Sequence, residues 1–357
     1  MDASDPMSSL LFIRQKDTPY GGAERYLQRL MEALQKRGIE TGILHSPLPK
    51  WLPSWVQALL FDREVCRKKA HIAPDALYFS LDRIRCPDIY RAGDGVHRAF
   101  LESKGFSLNP LHLTYLWLEK QTFANARLII ANSRMVREQI LRHYPVDPEK
   151  IRVVYNGIPL PPVPDKTAAK RELSEALGLP GERPWILFVG SGFRRKGVRE
   201  LLELLATLQH DAHTLIVGKE KRLDDYRKLA RKLGIEERVT FTGPRQDVER
   251  FYAAADLFLF PTRYEPFSNV VLEALAHGCV TVTTRQNGAS EILPPEWVME
   301  HPSDRNILPT LTRLLSDPPF LEEEQRKARK IAEAYPIERN VQETLNAIQE
   351  HFPEAMV

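Results

Sequence analysis

Glu265 and Glu273 lie eight positions apart in TRYEPFSNVVLEALAHG. The first falls in a polar loop after the apolar run LFLFP. The second falls inside a short helix that Ser268 or Asn269 would cap and Gly278 would end. A helix N-terminus offers free backbone N–H groups and suits an anion such as phosphate. Two carboxylates at the same mouth accept hydrogen bonds from sugar hydroxyls. The stretch suits a phosphorylated sugar, such as a nucleotide sugar.

A second candidate is FVGSGFRRKGVREL, where Gly190, Gly192 and Gly197 bracket Arg194, Arg195 and Lys196. Arginine offers a planar fork to phosphate oxygens and lysine a compact charge. Such cations stabilise the charge that develops on a departing diphosphate; a solvated basic turn is the alternative. A third is DTPYGGAERYLQRL, where Gly21 and Gly22 let backbone approach a ligand or simply make a tight turn. It lacks the GxGxxG spacing of a dinucleotide site.

These loops need strands and helices to hold them. Apolar runs at 10–14, 41–45, 76–80, 89–93, 127–131 and 152–156 predict six strands, and those at 185–190, 214–218, 239–243, 257–261 and 280–284 predict five more. Their Val/Ile/Leu/Phe richness without strict alternation suits parallel strands buried on both faces. Helical stretches between them make the fold class α/β, with two doubly wound parallel-sheet domains. IPLPPVPD at 158–165 is a proline-stiffened linker. The expected domains are 1–160 and 161–335, with 336–357 a C-terminal helix packing back towards the first. Open α/β sheets bind ligands beyond the carboxyl ends of their strands, so the two domains would face a shared central cleft.

The 357 residues are 43% hydrophobic and 27% charged, which describes a globular chain of more than one core. No apolar run reaches the ~18–20 residues of a membrane span. MDASDPMSS has no basic n-region, and Cys66, Cys86 and Cys279 suggest neither a disulfide framework nor a metal pair, so a reducing cytoplasm is expected. Residues 1–160 hold 23 Lys and Arg against 17 Asp and Glu, the remainder 27 against 30. The basic first part suits an anionic partner, phospholipid or phosphorylated glycolipid more than nucleic acid, although ordinary surface scatter gives the same bias. Trp51, Leu52, Trp55, Val56, Leu59 and Leu60 precede Arg67, Lys68 and Lys69, a pattern of an interfacial helix or of a core-facing one. Phe100, Phe106, Leu116 and Trp117 form a second apolar segment.

GGAER at 21–25, ANS at 131–133, VYNGI at 154–158, RRKG at 194–197 and EPFSNVVLEALAHG at 265–278 occur in an order that resembles the retaining GT-B glycosyltransferases of the GT4 family. DIYRAGDGVHRAFLESKGF at 88–106 is similar to the lipopolysaccharide core glucosyltransferases of that family. The resemblance implies two Rossmann-like domains in the GT-B arrangement, a nucleotide-sugar donor on the second and a glycolipid acceptor on the first. It implies that Glu273 holds the ribose, Glu265 contacts donor-sugar hydroxyls, and Arg195 with Lys196 binds the diphosphate. Backbone around Phe267, Ser268, Asn269 and Val270 would complete the phosphate site, with Gly190 beside it and Gly21 and Gly22 facing the donor. Asp94 matches an acidic position beside the reacting sugar carbon, and His97 is the alternative on the acceptor side. Relatives carry an Arg soon after the equivalent of Gly190; Ser191 and Gly192 stand here, so the diphosphate arginine must come from 194 or 195. No Asp-x-Asp follows a strand, and Asp224-Asp225 falls in a charged helical stretch, so neither a metal nor another cofactor is expected. The function implied is transfer of glucose from UDP-glucose to an inner-core heptose, at the inner face of an anionic membrane. Another donor, GDP-mannose or a UDP-aminosugar, or a non-catalytic binding role are the alternatives.

Overall fold

The computed structural model describes residues 10–15, 22–45, 48–49, 51–71, 76–105 and 107–353; Gly21 and Phe106 lie outside them. The chain divides into two compact units, 1–157 with 337–357, and 158–336. In the first, β1 (Leu10–Ile13), β2 (Thr41–Leu44), β3 (Leu77–Ser80), β4 (Ile89–Ala92), β5 (Leu128–Ala131) and β6 (Ile151–Val153) form one parallel sheet in the order β2-β1-β3-β4-β5-β6. The crossovers are α1 (Gly22–Gln35), α2 (Ser54–His71), α3 (His97–Lys104), α4 (Pro110–Asn125) and α5 (Arg134–His143). Every residue of β5 is buried, as its continuous apolar run requires, and every residue of β4 is buried too, its Arg91 donating to the Asn156 side-chain oxygen at 2.5 Å.

The second unit holds β7 (Trp185–Val189), β8 (His213–Val217), β9 (Val239–Gly243), β10 (Leu257–Phe260), β11 (Val280–Thr284) and β12 (Val298–Met299), in the order β12-β11-β10-β7-β8-β9. Its helices are α6 (Lys166–Leu177), α7 (Phe193–Lys196), α8 (Val198–Thr207), α9 (Leu223–Lys232), α10 (Val248–Ala254), α11 (Asn269–Ala276), α12 (Leu308–Ser316) and α13 (Pro318–Glu333). The last helix, α14 (Ile337–His351), returns to the first unit, where Val341, Leu345 and Ile348 pack with Leu27, Leu30 and Leu34 of α1.

Both sheets are doubly wound. The order reverses between β1 and β3 in the first and between β7 and β10 in the second. Loops leaving those neighbouring strands turn to opposite faces and open a crevice at the carboxyl edge, where such sheets bind ligands. The short two-residue β12 was not visible as an apolar run, and β6 ends at Val153 rather than reaching Asn156.

The cysteine reading needs correction. Cys66 and Cys86 form a disulfide, with their Cα atoms 5.7 Å apart. The bond ties α2 to the β3–β4 loop, two segments that sequence spacing alone does not bring together. Cys279 is free and buried.

Candidate functional site

In the second unit, the chain leaving β7 makes one turn of helix, α7, held by Phe193. That ring is buried among Phe188, Tyr226 and Phe241. Its N–H donates to the Glu220 carboxylate at 2.9 Å, and the Lys219 N–H donates to the Ser191 hydroxyl at 3.0 Å. Gly190 lies beside them, donating its N–H to the Val217 carbonyl at 2.9 Å. With Phe193 pinned inside, Arg194 is exposed, Arg195 half-buried and Lys196 buried.

Arg195 and Lys196 meet Glu265, which follows the neighbouring strand β10. Arg195 donates to the Tyr264 carbonyl at 3.0 Å and to Glu265 Oε2 at 2.5 Å. The Lys196 ammonium donates to the same oxygen and lies over the Phe260 ring, 5.0 Å from its centre. The Glu265 main chain is fixed by bonds of 2.9 Å to Gln286 and Gly288. Burial pushes the Glu265 carboxyl up, but Lys196 and Arg195 outweigh it and hold it below the usual carboxylate range. For Lys196, burial prevails over the attraction of Glu265 and pulls the ammonium down. The result is a cationic pair, one member buried and the other partly in solvent, already matched to an anionic oxygen.

Helix α11 begins four residues later. Ser268 takes the N-cap position but makes no side-chain capping bond, and Asn269 is the first helical residue, not the cap. Ser268 therefore does not cap the helix with its side chain, and a helix N-terminus of this kind suits an anion. Gly278 follows the helix with φ 70°, as a helix stop requires. Asn269, Val270 and Glu273 are half-buried while Val271, Leu272 and Ala274 are buried, so the three share the helix's outer stripe. Phe267 is buried, and the Tyr252 hydroxyl donates to Glu273 Oε2 at 3.3 Å.

In the first unit, Gly22 is the first residue of α1. Asp94 is exposed in the turn after β4 and His97 is buried at the start of α3. Neither caps α3; Val96 holds that position without a side-chain bond. The cap comes from α4 instead. Glu119, fully buried, accepts from the N–H of His97 at 2.6 Å, that of Arg98 at 3.3 Å, Arg83 Nε at 3.0 Å and the Tyr144 hydroxyl at 2.7 Å. Arg14, just past β1, bonds Asp82 at 3.2 Å and Glu24 at 2.9 Å. Arg14 and Asp82 sit at the point where the strand order reverses. Burial draws Arg14 down, but Asp82, Asp94 and Glu24 raise its pKa overall; burial keeps Asp82 above the usual range despite Arg14. Arg14, Asp82, Arg83 and Glu119 were not singled out from sequence. Only Glu119 carried a signal there, as a lone acid in the apolar run of α4.

Asp224 and Asp225 lie in α9 and bond Arg227 and Arg222. Among the described residues no group of three or more His, Cys, Asp or Glu is placed to hold a metal. No helix among them is long and apolar enough to cross a membrane. Of the apolar segments, Trp51, Trp55 and Leu60 at α2, and Leu108, Leu113 and Trp117 at the neighbouring α4, are exposed.

Residues 169–335 match the family described as "Glycosyl transferases group 1", and residues 67–160 match "Glycosyltransferase Family 4". The lipopolysaccharide core biosynthesis glycosyltransferase LpsE of Rhizobium meliloti is 29% identical over 78% of each chain. The lipopolysaccharide glucosyltransferase WaaG of Escherichia coli is 27% identical over 76% of this chain and 79% of its own. The crystal structure of WaaG superimposes with a TM-score of 0.79 at 23% identity, covering 95% of this chain and 98% of that one. That of HepE from Anabaena, in complex with UDP and glucose, gives 0.74 at 19%, covering 96% and 100%. With both units matched by glycosyltransferase families and both sheets wound as in those structures, the chain belongs to the glycosyltransferases of GT-B fold.

Proposed function

We propose that the protein is a retaining hexosyltransferase that moves glucose from UDP-glucose to a heptose of the lipopolysaccharide inner core. The observation that most supports it is the convergence of Arg195 and Lys196 on one oxygen of Glu265, shortly before the N-terminus of α11. One similar protein is named for lipopolysaccharide core biosynthesis and another as a lipopolysaccharide glucosyltransferase, and one structure of the same fold holds UDP and glucose.

In this reaction the bond between the sugar's C1 and the β-phosphate oxygen of UDP breaks, C1 bonds the acceptor hydroxyl oxygen on the same face, and that hydroxyl's proton passes to Asp94 or the departing phosphate. Charge grows on the β-phosphate as the bond lengthens, and Arg195, Lys196 and the amides at 268–270 neutralise it without a divalent ion. Since both cations hold Oε2, Glu265 offers Oε1 to a donor-sugar hydroxyl. Glu273 takes the ribose, and Asp94 serves the acceptor side. The exposed tryptophans and leucines of α2 and α4 rest on the inner face of an anionic membrane, where a glycolipid acceptor is met. The deciding experiment incubates the protein and a heptose-terminated core glycolipid with UDP-glucose, GDP-mannose or UDP-N-acetylglucosamine in EDTA. Mass spectrometry should show one hexose added from UDP-glucose. Addition only from another donor, only with magnesium restored, or from none would overturn the corresponding part.

A further inference from the structure

His97 sits at the inner end of a chain of three nitrogen groups. Its Nε2 is 3.0 Å from Nδ1 of His112, and Nε2 of His112 is 3.0 Å from the Lys104 ammonium. His97 and Lys104 begin and end α3, seven residues apart and so on one face, with His112 of α4 between them. Lys104 is exposed, His112 and His97 are buried. The backbone at His97 is held through Glu119, and its ring meets Tyr115 edge-on with centres 5.2 Å apart.

The donor and acceptor roles along this chain follow from one end. An ammonium group has only donors, so Nε2 of His112 must accept and its proton resides on Nδ1. That proton is donated to His97 Nε2, which must therefore be bare. His97 then carries its proton on Nδ1. We infer that Lys104 and His112 are positioning residues that lock His97 in the Nδ1–H tautomer, so that His97 presents a hydrogen-bond donor to a substrate oxygen and is not the base that deprotonates the acceptor hydroxyl. The part about substrate rests on the proposed transferase reaction; the tautomer does not. The hydroxyl proton then goes to an oxygen anion, Asp94 or the departing phosphate. Burial, with Arg83, His112 and Lys104 adding to it and Glu119 opposing, lowers His97 to about 4. The ring thus stays neutral across the range in which transfer would be assayed.

The test uses the full chain labelled with ¹⁵N-histidine, the His97 signals being assigned by their loss in His97→Gln. Proton–nitrogen correlation spectra between pH 5.5 and 8 should show Nδ1 of His97 protonated and Nε2 bare. Lys104→Met keeps the stem but removes the donor, which frees His112 and should give a mixture of His97 tautomers; Lys104→Arg should restore the single form. In the transfer assay Lys104→Met should lower kcat about three- to tenfold, with donor KM unchanged and recovery in Lys104→Arg. A bare Nδ1 in the wild type, or a Lys104→Met spectrum with the wild-type tautomer, overturns the inference. The spectra decide this even for a chain that transfers no sugar, which would instead sink the function proposed above.

Discussion

Gly197 lies so close to the carbonyl oxygen of Pro261 that a Cβ there would collide with it, and its φ of +79° is one that side chains resist. The contact brings the end of α7 against the chain leaving β10, and so brings Lys196 to Glu265. Gly190, in the same segment, has only ordinary contacts at its Cβ position, the nearest being the Phe260 ring at 3.5 Å. Gly197→Ala should cost more than about 2 kcal/mol or prevent folding, whereas Gly190→Ala should cost less than about 1 kcal/mol. Chemical denaturation of the two variants checks the contrast.

Lys196→Ala removes a buried cation from the proposed leaving group, and kcat should fall roughly 10²- to 10³-fold, with weaker UDP binding by calorimetry. Glu265→Gln should also slow transfer. It removes the carboxylate that competes for the two cations, so UDP affinity should hold or rise. A loss of UDP affinity in Glu265→Gln matching that in Lys196→Ala would contradict these roles.

The pH dependence of stability has a definite sign. His97 falls from 6.5 to about 4 on folding, so the unfolded chain takes up its proton first. Its contribution is complete above about pH 6.5 and is lost as pH falls towards 4, a change on the order of 3 kcal/mol. Burial lowers His112, His213 and His277 as well, adding to the same slope. Denaturation midpoints of wild type and His97→Gln at pH 7.5 and 4.5 should differ less in the variant, without becoming equal.

The Cys66–Cys86 bond closes a loop of 20 residues, which restricts the unfolded chain by about 3 kcal/mol in the chain-entropy account. Cys66→Ser with Cys86→Ser, or treatment with dithiothreitol, should lower the unfolding free energy by up to that amount. Equal stability with and without reductant would show that the bond does not restrain the unfolded chain.

Trp51, Trp55 and Trp117 should carry binding to anionic vesicles at low salt, with the exposed Arg67 making it salt-sensitive, since Lys68 and Lys69 already pair with Glu64 and Asp88. Flotation with phosphatidylglycerol vesicles should retain the wild type and lose the triple Trp→Ala variant. Wild type that stays unbound at low salt removes the membrane from the proposal.

Much of this architecture could be read from local pattern. Eleven apolar runs coincide with strands β1 to β11; the central ones read most plainly because a strand buried on both faces is largely apolar, while the edge strands β2, β6 and β9 are less buried. That Arg195, Lys196 and Glu265 come to one carboxyl edge was legible because each lies soon after such a run. The arrangement around Asp94 was not. Arg14 and Asp82 are 68 residues apart, and Arg83 and Glu119 are 36 apart, so only tertiary structure pairs them. Ser268 misled for the opposite reason: a residue type that favours capping stands at the N-cap and leaves it unused. The disulfide was missed because three scattered cysteines say nothing of which two are neighbours.

The return of α14 makes the second unit an insertion. The chain leaves the first unit at Gly157 and rejoins it at Ile337, with Ile158 and Pro336 bridged side by side. A fragment stopping at residue 157 would strip Val341, Leu345 and Ile348 from Leu27 and Leu30 and bare a greasy flank prone to clumping. Residues 158–336, by contrast, hold their sheet and helices in one uninterrupted stretch, a cassette that can be excised to ask whether it takes up nucleotide without the rest.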